Sequence, residues 1–201
     1  FDARFEMLDA IVSEYCRFLA PTAVQAYRAH QLCLAGDKVE ARRVYEALVA
    51  NGIETFPEDW GRLTAWVRVA DLAVAFRDVD VARSLYAAFA SNAEGTLAIW
   101  STLNEGSTQR VLGRLAAVQG QDERAREHFE NAVAMNQRMN AKPWLALTQC
   151  DYAELLVGGA PLARDLDQVR LLLKSARTIA EGLPSALILQ RIDKLERKLR
   201  D

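Results

Sequence analysis

Arg110 and Arg114 lie four residues apart in a helix-forming stretch, so both guanidinium groups would project from one face. Planar guanidinium forks match carboxylates and phosphates in a two-point geometry, and this pair would suit an anionic ligand. The competing reading is an internal ion pair, with Asp71 or Glu154 supplying the carboxylate. The other reactive side chains form no recognisable reaction centre. Only two histidines occur, His30 and His128, and neither has a neighbour at metal-ligand spacing. Cys16, Cys33 and Cys150 are far apart and odd in number, which fits buried reduced thiols in a cytoplasmic setting. The chain has no Cys-x-x-Cys, no His-Glu-x-x-His, no Gly-x-Ser-x-Gly and no phosphate-binding loop. Carboxylate pairs such as Glu58-Asp59 and Asp78/Asp80 fall at expected helix starts, where capping and the helix dipole favour negative charge. A catalytic dyad needs a closed pocket that raises one carboxyl pKa, and helix ends do not supply one. The chain reads as non-enzymatic, with no cofactor and no metal.

The elements that would position these residues are helices. Of 201 residues, 51% are hydrophobic and 26% charged, enough apolar surface for a packed core. No run approaches the roughly 20 apolar residues that cross a bilayer, so no membrane segment is expected. A net charge of −2 gives no overall footprint for nucleic acid. The basic residues near the end, Arg191, Lys194, Arg197, Lys198 and Arg200, read as cations complementing a helix C-terminus. The opening Phe1-Asp2-Ala3-Arg4-Phe5-Glu6 is no secretory signal, and the first methionine is Met7, as expected of a piece of a longer protein.

Glycine and proline fall between apolar-periodic stretches. The spacing predicts helices over 4–19, 22–35, 38–51, 58–76, 79–92, 106–119, 122–139, 143–157, 165–181 and 185–200. Strands are not expected, and segment 93–105 reads as irregular with a short helix around Leu97–Leu103. The predicted class is all-α, with hairpins over about 22–51, 58–92, 106–139 and 143–181 and a capping helix over 185–200. The stripe Ile188, Ile192, Leu195 and Leu199 on that last helix would serve as a solenoid cap or an oligomer seam.

The second helices of the four pairs share one register. They carry Ala41, Tyr45 and Leu48, then Ala82, Tyr86 and Phe89, then Ala125, Phe129 and Ala132, then Val169, Leu173 and Ala176. A small residue would let the hairpin close tightly. The large residue one turn later would fill the gap to the neighbouring hairpin. Successive triplets start at 41, 82, 125 and 169. Those intervals exceed the period of about 34 of a strict tetratricopeptide repeat. Within the third pair, Leu112-Gly113, Gly120-Gln121-Asp122 and Ala125-x-x-x-Phe129-x-x-Ala132 keep that repeat's internal spacing.

On these motifs, and on Lys142-Pro143-Trp144 through Asp151-Tyr152-Ala153, the chain resembles the C-terminal helical-repeat region of large bacterial signalling proteins. Those proteins join a cyclase or transcription-factor domain, or a LuxR-type DNA-binding domain, to an AAA-type ATPase and tetratricopeptide-like repeats. The resemblance implies a right-handed α-solenoid acting as a regulatory arm, 1–201 forming one helical-repeat domain. Its expected partner is a protein or peptide, including the ATPase or effector domain of the same protein, with no direct nucleic-acid contact. In such a stack the first helix of each pair lines the concave side. The matched register places His30, Thr64, Val67, Asp71, Arg110, Arg114 and Glu154 there. Trp60, Trp66 and Trp144 read as packing between hairpins, whereas Trp100 could line a groove or meet another domain. Two functions follow: an interaction scaffold binding a partner along the groove, or a sensor in which Arg110 and Arg114 grip an anionic metabolite.

Overall fold

The computed structural model describes residues 21–99, 103–158, 163–183 and 186–199. The helix expected over 4–19, Cys16 and Trp100 lie outside the described residues. Two compact units divide the chain, Phe1–Ala88 and Phe89–Asp201. The described residues are mainly helical, and none of their helices is long and apolar enough to cross a membrane.

The first unit holds α1 (Pro21–Ala35), α2 (Lys38–Val49), a 3-10 turn (Ile53–Thr55), α3 (Arg62–Phe76) and most of α4 (Val79–Ala90). Helix α1 packs against α2 and α3. Its buried face is Ala23, Ala26 and Ala29, small side chains that let neighbouring backbones come close. Asp37 caps α2 by accepting a hydrogen bond from the Glu40 backbone N–H at 3.1 Å. Helix α3 starts at Arg62, not at residue 58 as the periodicity suggests. The Asp59 carboxylate accepts from the Gly61 backbone N–H at 2.8 Å, and this local turn holds the chain out of helix until Gly61.

Tyr45 shows what the large residue of each triplet does. Its ring lies 5.4 Å from Phe76 at the end of α3, and its hydroxyl donates to Asp78 Oδ2 at 3.0 Å. The other carboxylate oxygen of Asp78 accepts from the Val81 backbone N–H at 3.1 Å, capping the first turn of α4. One aromatic thus fixes the first hairpin to the turn between α3 and α4.

The second unit contains an antiparallel pair, β1 (Thr96–Ile99) and β2 (Leu103–Ser107), then α5 (Thr108–Val118), α6 (Asp122–Arg138), α7 (Lys142–Gly158), α8 (Ala163–Glu181) and α9 (Ala186–Lys198). Thr96 pairs with Ser107, Ala98 with Asn104 and Ile99 with Leu103. This corrects the expectation of a strand-free chain with a short helix around Leu97–Leu103. The reason is tertiary. Asn136 of α6, fully buried, accepts from the Ser107 backbone N–H at 3.2 Å and donates to Thr148 Oγ1 of α7 at 3.0 Å. Thr108 N–H donates to the Gly95 carbonyl at 3.2 Å and closes the base of the pair. Four or five residues are too few for periodicity to separate helix from strand, so these distant partners decide.

Helices α5 and α6, α6 and α7, and α7 and α8 pack as successive neighbours. Gly113 of α5 permits the first of these contacts. A Cβ there would meet the Phe129 ring at 2.9 Å. Phe129 in turn stacks on Tyr152 of α7 with centroids 5.7 Å apart, as Tyr45 meets Phe76 in the first unit. Of the twelve triplet residues all are buried except Leu48 and Tyr86, which are half-buried, so the stripe read from spacing is the packing stripe. Ile188, Ile192 and Leu195 of α9 are also buried, and α9 packs on α7 and α8. Those three residues are covered within the unit, and Leu199 is half-buried.

Candidate functional site

Three arginines converge on one buried carboxylate in the second unit. Helix α5 starts cleanly because Ser107 Oγ accepts from the Gln109 backbone N–H at 3.1 Å. That start sets the rotation which turns Arg110 and Arg114 toward α7. Helix α7 is apolar on most sides, with Leu145, Ala146, Cys150, Ala153 and Leu156 buried, and Asp151 sits among them with its side chain only 3% exposed. Arg110 Nε donates to Asp151 Oδ2 at 2.7 Å, and Arg114 Nε stands 3.9 Å from the same oxygen. From α9, Arg191 Nη2 reaches Asp151 Oδ1 at 2.7 Å and Glu154 Oε2 at 2.5 Å. The Arg110 guanidinium also lies 5.7 Å from the centroid of the Trp144 ring.

Electrostatics fixes the protonation of this cluster. Burial pushes the Asp151 carboxyl up, but Arg110, Arg191 and Arg114 together outweigh it and hold its pKa down to about 2. Arg191 is destabilised as a cation by burial, and Asp151 and Glu154 more than compensate, so it stays charged. Burial raises the neighbouring Cys150 thiol to about 11 despite the pull of Arg191, which keeps it a thiol and a poor nucleophile. Asp151, Arg191 and Cys150 are all held away from neutral pH, where a general acid or base would have to work. The arrangement can hold helices together or orient an anion. It is not built to move a proton.

The remaining sequence candidates fall in separate places. His30 Nε2 lies 3.5 Å from Asp71 Oδ2, and Arg68 Nη1 lies 3.2 Å from the same oxygen, which ties α1 to α3. Asp71 therefore serves this pairing in the first unit. Thr64 and Val67 are buried at 7% and 3% exposure and present no side-chain surface to a partner. Glu154 is half exposed and bound to Arg191. The carboxylate for Arg110 and Arg114 is thus Asp151, whereas sequence reasoning offered Asp71 or Glu154. Arg191 belongs to the cluster and is no mere helix-end cation. The overlooked signal was an aspartate flanked by the apolar residues Leu145, Ala146, Ala153 and Leu156 at helical spacing, since a buried charge requires a partner.

Two further polar contacts join elements of this unit. His128 Nδ1 and Gln109 Oε1 are 2.6 Å apart, and burial lowers the His128 pKa. Arg126 Nη1 donates to Asp165 Oδ1 at 3.1 Å, linking α6 to α8. Among the described residues no three His, Cys, Asp or Glu side chains group as metal ligands. No protein-family model matches the chain, and no curated protein or solved structure matches it.

Proposed function

We propose that the chain is a non-catalytic interaction scaffold, a divergent tetratricopeptide-like α-solenoid that binds a partner segment or sister domain. Its setting would be a bacterial signalling or transcriptional regulator, in which it restrains an attached ATPase or effector. The observation that carries this reading is the repeated join between hairpins. Tyr45 meets Phe76 across one join and Phe129 meets Tyr152 across another, each one turn after a buried alanine. Elements stacked through the same join present their outer side chains as extended surface, which suits partner binding better than a reaction centre. Arg110 and Arg191 already face Asp151, which weighs against a reactive role for them.

The second reading, an anionic-metabolite sensor, draws on the convergence of Arg110, Arg114 and Arg191 beside Trp144. A thermal-shift panel of carboxylates and phosphates separates the two. A ligand at 100 times its Kd adds about 2.7 kcal/mol to stability. The scaffold reading expects no hit that depends on both Arg110 and Arg114. A hit abolished by Arg110→Ala and by Arg114→Ala would favour the sensor.

A further inference from the structure

We propose that a cleft at the start of α3 receives the cationic side chain of a lysine or arginine in a partner segment. This deepens the scaffold reading and rests on it. The cleft measures about 340 Å³ and is lined by Glu54, Glu58, Arg62, Trp66, Ser84 and Ala88 over Ile53. It lies wholly in the first unit, between the 3-10 turn, the first turns of α3 and one side of α4.

The cleft already holds one cation, and that cation shows its chemistry. Arg62 donates from Nε and Nη2 to the Phe56 carbonyl at 3.1 and 2.6 Å, and from Nη1 to Glu58 Oε1 at 3.1 Å. Its guanidinium stands 5.5 Å from the centroid of the Trp66 ring. A carbonyl, a carboxylate and an indole are three features that attract a guanidinium or an ammonium group. Arg62 and Glu58 satisfy each other. Glu54 is the remaining acid: among the described residues no hydrogen bond or ion pair engages its carboxylate, and it is exposed at the rim. Two carboxylates against one guanidinium leave the cleft negative. Ser84 and Ala88, small side chains one turn apart on α4, keep the opposite wall open. An incoming lysine or arginine would lay its aliphatic stem beside Ile53 and Ala88 and bring its charge to Glu54. An acidic or neutral segment would gain nothing from that carboxylate.

Glu54 is placed by its own turn. Gly52 has φ of 82°, and a Cβ there would fall 2.1 Å from Glu54 Oε1, so the carboxylate folds back over the glycine. Only glycine allows both that backbone angle and that approach.

The test is a nuclear magnetic resonance titration of the full chain with N-acetyl-arginine amide, N-acetyl-lysine amide, N-acetyl-norleucine amide and N-acetyl-glutamate amide. The reporter is the Trp66 indole N–H, assigned with Trp66→Phe. The expected result is a saturable shift with the two cationic probes only, weakened about two- to fivefold in Glu54→Gln and reduced by high salt. Because Glu54 is exposed, Glu54→Gln should leave the amide spectrum folded. An equal response to norleucine, an unchanged affinity in Glu54→Gln, or no saturable shift with the cationic probes overturns the proposal. A titration of the Glu54→Gln chain against a separately purified partner domain keeps the two readings apart. Retained domain binding with a silent cleft removes the cleft alone. Absence of any domain binding by the unsubstituted chain, with the cleft still responding to the cationic probes, removes the scaffold reading alone.

Discussion

Replacing Asp151 with asparagine keeps the shape of the side chain and removes its charge. Arg110 and Arg191 would then face an amide at the 2.7 Å positions where each now meets a carboxylate oxygen. Folding lowers the Asp151 pKa from 3.8 to about 2. At about 1.4 kcal/mol per unit, the native cluster favours the ionised form by roughly 2.5 kcal/mol. Removing one partner from a buried ion pair typically costs about 3–5 kcal/mol. The expected loss for Asp151→Asn is therefore about 3 kcal/mol. With a urea dependence of about 2 kcal/mol per molar, that lowers the unfolding midpoint of the second unit by about 1.5 M. The chain has two units, so the transition should be followed by hydrogen exchange at α7 amides as well as by circular dichroism. Asp167→Asn is the control, because Asp167 is 75% exposed in a surface pair with Arg170 and should change stability by less than about 0.5 kcal/mol. Adding Arg110→Met to Asp151→Asn should recover part of the loss, since it removes an uncompensated cation. The same carboxyl sets an acid limit. Its contribution is complete above pH 3.8 and disappears as pH falls toward about 2. A midpoint shift for Asp151→Asn no larger than that of Asp167→Asn would refute the reasoning.

Other consequences are simpler to state. Gly113→Ala should destabilise the second unit by about 1–3 kcal/mol, read as a urea midpoint shift, because the new methyl meets Phe129 at 2.9 Å. Tyr45→Phe should cost about 1 kcal/mol by removing the hydroxyl bond to Asp78, seen as a small loss in thermal midpoint with no change in helix content. Asn136→Ala should cost about 2–3 kcal/mol and speed hydrogen exchange at the Ser107 amide, whose acceptor it removes. His128 should titrate below 6.5 when followed by its ring proton resonances. Burial disfavours its charge, so folding loses stability as pH falls below that value.

The packing logic of the chain was legible from its spacing. A small residue followed one turn later by a large one predicted where Tyr45 and Phe129 lie, and both fill a join to the following hairpin. Periodicity works there because each stripe repeats over several turns of one helix. It fails over β1 and β2, whose few residues are held by Asn136 from 29 positions downstream. It also misplaced the start of α3, because an Asp59 side chain competes with the helix for the Gly61 amide. The candidate site was half legible. The four-residue spacing of Arg110 and Arg114 showed that they share a face, but which carboxylate they meet depends on how α5, α7 and α9 pack. Thr64 and Val67 were assigned to a groove by register alone, and burial in the first unit withdraws them from it.

The interaction role is tested most directly by titrating this chain in trans against the purified ATPase or effector domain of a protein that carries it, while measuring that domain's activity. The scaffold reading predicts saturable micromolar binding that changes the activity, and a matching change when the repeats are deleted in cis. No binding at high micromolar concentration, together with unchanged activity on deletion, would contradict it.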